Sequence, residues 1–348
     1  LLASSARDDD QPHAISPSVD RGLTGLGESQ DVEARSHHNG SMLVVLDHRR
    51  GLVELSSAEP GATGVGLTPA IGALIRPYTV VAGLVPGADR AGVVVADSGL
   101  GGAVVHDPRT GASVALIPDL GAAGGPARDP RGVAVDGLGR ILLADTGQQR
   151  ILRSEFTLAD AWTGPVPADA WVAYGARPGA GGPGLPGSFV APVAIAVDAA
   201  GRIWISDAGL HRLVRVDELD GSGWVTIALP LTDAGRGRAT AGLADTASGM
   251  AVCDPTGGKV WVIPTDPDTG APGPPAVLVD GAADRSLIAP VGLTRSGTDW
   301  VVADAGGARL VSFADAGGPW AHRHELLGRD VVGAPADRVV GIVDCEVP

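Results

Sequence analysis

The chain has 348 residues, a formal net charge of −14, 44% hydrophobic residues, 52 Gly and 27 Pro. It can bury a large core while turning often, which excludes a chain disordered throughout, and its acidity disfavours nucleic acid and anionic lipid. The two cysteines, Cys253 and Cys345, have neither metal spacing nor a disulfide framework, and no apolar run approaches the ~18 residues of a membrane span.

Residues 1–40 are polar and rich in turn formers, and fall outside any repeat. They are expected to form an extended arm that lies on a neighbouring subunit in preference to its own chain. Asn39-Gly-Ser41 is a glycosylation sequon, relevant only in a eukaryotic secretory setting.

From residue 41 onward the chain repeats. Six apolar strands each end in aspartate: Asp47, Asp97, Asp145, Asp207, Asp254 and Asp304. The clearest unit runs from Arg131 to Arg153. It reads as strand a (Val133–Val135), a turn at Asp136-Gly-Leu-Gly139, strand b (Ile141–Ala144), a turn from Asp145, and strand c (Arg150–Arg153). Residues 169–174 read as strand d. Strand b is apolar at consecutive positions, as in Ile141-Leu-Leu143 and Val93-Val-Val95. A sheet with one wet face would alternate, so strand b is buried on both faces. No strong helical period occurs anywhere. The Gly/Pro-rich segment from Tyr174 to Phe189 lengthens one interval and reads as a surface loop.

A period of roughly 40–50 residues with several short strands indicates a β-propeller. The first unit has strands b and c without a strand a before them. The C-terminal segment from Ala334 to Val347 has the missing signature: Pro335, then Val339–Val343, then Asp344. The expected fold is therefore all-β: a six-bladed β-propeller of four-stranded antiparallel blades over residues 41–348, its ring closed by the C-terminal strand joining blade one. Closure of that kind removes an exposed sheet edge. It would put Cys345 and Cys253 in non-adjacent blades, too far apart for a disulfide.

The stretches "DTGQQRILR" (Asp145–Arg153) and "DAGLHRLVR" (Asp207–Arg215) resemble the NHL repeat. The likeness spans about residues 41–345 and is best in the third and fourth units. Gln148 and Leu210 stand where the repeat carries Asn, whereas His211 matches its His. The resemblance implies a β-propeller, often six-bladed. Together with the absence of an initial Met, it favours an extracytoplasmic or secreted protein.

Candidate sites follow from the repeat. The six strand-end aspartates lie on one face, where they cap turns by accepting local N–H bonds; the alternative is a ligand or cation site, for which Ca²⁺ is the cofactor expected of gathered carboxylates. Asp136, Asp198, Asp245 and Arg295 occupy the a–b turns of the opposite face. His48 and His106 lie in adjacent blades and form a candidate metal pair lacking a third ligand. Trp162, Trp171, Trp224 and Trp320, if gathered on one rim, would mark a partner surface. No nucleophile elbow, phosphate loop or metalloprotease motif is present, so no catalytic residue is assigned. The reading that follows is a non-catalytic binding or assembly module for a protein partner or its own copies. The alternatives are a propeller enzyme with a central-channel site, in the manner of calcium-dependent lactonases, strictosidine-synthase-like hydrolases or lyases, and a small-ligand or carbohydrate binder.

Overall fold

Proline opens the first strand of four units, at Pro77, Pro130, Pro192 and Pro290. A strand start tolerates its missing N–H. The structure is a computed structural model that describes residues 42–47, 51–55, 64–67, 74–84, 91–107, 110–175, 185–230, 242–284, 286–296, 298–307, 309–315, 317–327 and 339–345. The expected arm and His48 lie outside these residues.

The strands form four-stranded antiparallel sheets. Five sheets use consecutive strands. β4–β7 are Pro77–Leu84, Ala91–Asp97, Gly102–His106 and Ser113–Leu116. β8–β11 are Pro130–Val135, Arg140–Asp145, Arg150–Thr157 and Trp171–Tyr174. β12–β15 are Pro192–Val197, Ile203–Asp207, Arg212–Val216 and Val225–Ala228. β16–β19 are Leu243–Thr246, Gly249–Asp254, Lys259–Pro264 and Ala276–Asp280. β20–β23 are Pro290–Ser296, Asp299–Asp304, Arg309–Ala314 and Ala321–Leu327.

The remaining sheet is composite. β1 (Met42–Asp47), β2 (Gly51–Leu55) and β3 (Gly64–Leu67) are joined by β24 (Val339–Cys345) in the order β24-β1-β2-β3. β24 runs antiparallel to β1, with Val44 opposite Val343 and Leu46 opposite Gly341. Five blades thus stand with their side chains described, against the expected six. Of the composite sheet only the backbone pairing and the buried Leu46 are described. The inner strands β4, β8, β12, β16 and β20 each lie against the next, and β24 lies against both β20 and β4. The architecture is an all-β propeller, with a–b and c–d turns on one face (the lower) and b–c turns and d–a links on the other (the upper).

Strand b is buried as its sequence requires: Ile141, Leu142 and Leu143 are wholly inaccessible, as are Val93, Val94 and Val95. Burying each such side chain contributes about 1.5–3 kcal/mol. Of the four candidate tryptophans, Trp162 and Trp171 belong to blade β8–β11, Trp224 to β12–β15 and Trp320 to β20–β23. Trp300 stacks on Trp320 at 4.9 Å, Trp171 meets Phe156 edge-on at 5.4 Å, and Trp224 packs with Tyr174 and Phe189.

Helix is present where none is expected. α1 (Leu158–Thr163) follows β10, with Thr157 and Asp160 forming a capping box. Its Trp162 covers Gly92 of β5, where a Cβ would sit 2.5 Å from the indole. A second short helix, α2 (Gly281–Asp284), follows β19.

Candidate functional site: the upper face and the central channel

The strand-end aspartates act over a longer range than a turn cap. Asp97 accepts the backbone N–H groups of Ile75 (2.6 Å) and Arg76 (2.8 Å), just ahead of β4. Asp145 accepts from Arg128 (2.7 Å), Asp207 from Val190 and Ala191 (3.1 and 2.8 Å), and Asp304 from Ile288 and Ala289 (3.0 and 2.8 Å). Each carboxylate therefore pins the lead-in of its own blade's inner strand to the end of strand b.

An arginine five residues further on, the first residue of strand c, completes the staple in three blades. Arg150, Arg212 and Arg309 pair with Asp145, Asp207 and Asp304 at 2.8, 3.3 and 3.0 Å. Their other nitrogens donate to carbonyls of the d–a link, at Gly124, Ser188 and Ser286. Burial pushes the Asp145 carboxyl up, against the pull of the Arg128 N–H and Arg150. Blade β16–β19 differs. Lys259 replaces the arginine and pairs with Asp280, while Asp254, among the described residues, accepts the turn N–H groups of Thr256 and Gly257 and the Trp261 indole N–H.

The glycine two residues after the aspartate has its own cause. A Cβ on Gly99, Gly209 or Gly306 would stand 2.5, 2.4 or 2.6 Å from Ile75, Val190 or Ile288, and one on Gly147 would meet Arg128. The Asp-x-Gly signature thus combines a pin with a seat for the residue pinned. Three seated side chains remain open to solvent: Ile75 is 63% exposed, Val190 39% and Ile288 50%. They belong to three blades and occupy one repeat position on the upper face. Exposed Ile117 and Leu185 also lie on d–a links. On the lower face the one large exposed hydrophobic among the described residues is Leu138.

Immediately after each opening proline the pairing register slips, between Pro77 and Thr79, Pro130 and Gly132, Pro192 and Ala194, and Pro290 and Gly292. A bulge re-aims the extra residue, here Tyr78, Arg131, Val193 and Val291 at the upper mouth of the channel. Arg131 lies over the Tyr78 ring at 4.8 Å and holds Asp129 through Nε and Nη2 at 3.0 and 2.7 Å. Arg76 reaches the Tyr78 hydroxyl at 3.5 Å. Asp129 itself has φ +52°, a left-handed conformation that is uncommon for a non-glycine residue.

The channel encloses a cavity of about 280 Å³, with walls that include Val81, Ala134, Ala196, Leu243 and Leu293. Among the described residues its polar lining is Thr79, Thr294 and Asp245. Towards the lower face, Asp136 and Asp198 hold their a–b turns and pair with Arg140 and Arg202. Burial alone would raise the Asp198 carboxyl, but hydrogen bonds from Trp204 and Arg202 bring it below the ordinary range. Asp245 ends β16 rather than sitting in a turn. It accepts the Ala199 N–H of the adjacent blade at 2.7 Å, and burial with nearby Asp198 pushes it up.

Of the predicted metal pair, His106 is buried with Nδ1 on Ser113 Oγ at 2.8 Å, and burial lowers its pKa. His48 lies outside the described residues, as does the side chain of Asp47. Among the described residues no three His, Cys, Asp or Glu side chains converge as a metal site. Cys253 is free and buried, with burial raising its thiol. No described helix is long and apolar enough to cross a membrane.

The residue two places ahead of the inner-strand proline is not singled out by the aspartate repeat. Its signal is a register, Ile75-Arg-Pro77, Arg128-Asp-Pro130, Val190-Ala-Pro192 and Ile288-Ala-Pro290, which emerges when the units are aligned on proline instead of aspartate.

No protein-family model matches the chain, so the NHL resemblance stays one of motif. No curated protein matches it in sequence. Its fold is similar to a chain from the crystal structure of a nidogen/laminin complex, with TM-score 0.62 and 16% identity over 88% of this chain and 98% of that one. It is also similar to a protein from Lactobacillus plantarum (TM-score 0.51, 15% identity, 82% of each chain). A catalytically inactive virginiamycin B lyase from Staphylococcus aureus, solved with quinupristin, aligns at TM-score 0.49 and 13% identity over 82% of this chain and 85% of that one. The first two likenesses support a β-propeller fold.

Proposed function

We propose that the protein is a binding module that docks a protein partner on its upper face. The observation that carries this is the row of exposed aliphatic side chains Ile75, Val190 and Ile288, held at one repeat position in three blades. Aliphatic groups set around a disc are too widely distributed for one small ligand, whereas a protein surface covers them together. The similarity to a chain of a nidogen/laminin complex is in keeping with a propeller used for protein contact. In this reading the strand-end aspartates are framework rather than a Ca²⁺ or ligand site, since the staples occupy Asp97, Asp145, Asp207 and Asp304. The composite sheet serves as a sixth blade, supported by β24 lying between β20 and β4.

The second reading, an enzyme using the channel, has the 280 Å³ cavity in its favour. Among the described residues its walls are mainly aliphatic, suited to holding an apolar group, with hydroxyls and one carboxyl beside them.

The test is recovery of partners from source cells by a tagged full-length chain. Ile288→Asp should lose a protein that the wild type recovers, while Leu138→Asp on the lower face retains it. Equal recovery by both variants would overturn the proposal.

A further inference from the structure

We infer that the segment docked on the upper face is acidic and aliphatic, with a carboxylate received between Arg76 and Arg131 beside Tyr78. This rests on the docking-face reading above. The net charge of −14 would suggest a basic partner, but the charge is unevenly placed. Among the described residues the exposed acids lie mostly on the lower face, including Asp169, Asp217, Glu218, Asp220, Asp266 and Asp268; towards the upper face Glu325 pairs with Arg309, and half-buried Asp119 accepts the Gly121 N–H. On the upper face Asp97, Asp145, Asp207, Asp254 and Asp304 are buried and engaged. Asp129 and Asp280 are half-buried and paired with Arg131 and Lys259. Arg76 and Arg128 are exposed there.

Screening decides which charges a partner feels. At physiological salt the Debye length is about 8 Å, so a segment on the upper face responds to the groups beneath it and not to acids across the disc. The exposed groups there are the Arg76 and Arg128 guanidiniums and the aliphatic side chains, while the Asp97 and Asp129 carboxylates are already engaged by backbone N–H groups and by Arg131. Arg131 uses Nε and Nη2 on Asp129, and Arg76 stands beside the same phenol. Guanidinium is suited to forked contact with a carboxylate. Ile75 adjoins Arg76 in sequence, which places an aliphatic seat next to the anion seat.

The test uses fluorescence anisotropy with the full-length chain and two labelled short peptides, one alternating Asp with Leu and one alternating Lys with Leu. Circular dichroism checks that each variant is folded. The Asp/Leu peptide should bind, weaken with added salt, and lose about tenfold in affinity with either Arg76→Glu or Ile288→Asp. The Lys/Leu peptide should bind more weakly than the Asp/Leu peptide. If the Lys/Leu peptide binds as tightly, or Arg76→Glu changes nothing while Ile288→Asp weakens binding, the acidic assignment is overturned and the docking face stands. If Ile288→Asp leaves all binding unchanged, or neither peptide binds, the proposal fails together with the face on which it rests.

Discussion

Asp207 has no accessible surface, and its oxygens take two backbone N–H groups and Arg212. Removing one partner of a buried pair strands the other, at a cost of about 3–5 kcal/mol. Asp207→Ala should therefore lower unfolding stability by about that much, read from the urea midpoint at unchanged m-value. A loss under about 1 kcal/mol, the level of an exposed pair, would show that the staple is ornamental. The same substitution at Asp254, which forms no ion pair among the described residues, should cost less, about 1 kcal/mol. The aspartates were legible because they recur. Their purpose was not, because a turn cap and a long-range pin use the same residue. The spacing to Arg150, Arg212 and Arg309 was also readable, but the arginine does not define the pin: Gly102 stands at that position in blade β4–β7, whose Asp97 still accepts the Ile75 and Arg76 N–H groups.

At the scale of elements, legibility followed burial. Strand b is buried on both faces, so its continuous apolar run survives any reading frame. β24 announced itself through Pro335 and the valines after it, and it pairs with β1. β4 escaped notice because its Tyr78, Thr79 and Gly83 dilute the apolar pattern. α1 has six residues, too few to show a helical period, although Thr157-x-x-Asp160 was a readable capping box. The pairing of β24 carries a prediction. A chain ending at residue 338 exposes the edge of β1 and the flanks of β4 and β20. It should unfold at least roughly 10 °C lower than the full chain, or aggregate through the open edge. Calorimetry showing an unchanged midpoint would remove β24 from the fold's essential framework.

At the scale of the whole molecule, the two faces of the disc divide the labour. Repeat chemistry puts buried, engaged carboxylates and seated aliphatic side chains on the upper face, and most exposed acids on the lower. None of that partition is visible in the net charge, because face membership is set by strand direction rather than by sequence distance. The account stands on the claim that the upper face, and not the channel or the lower face, meets the partner. Photo-crosslinking measures this most directly, with a benzophenone amino acid placed singly at Ile75, Ile288, Ala134 and Leu138 of the full-length chain in source cells. The account predicts one shared protein adduct from Ile75 and Ile288 and none from the channel or lower-face positions. An adduct confined to Ala134 or Leu138 would contradict it.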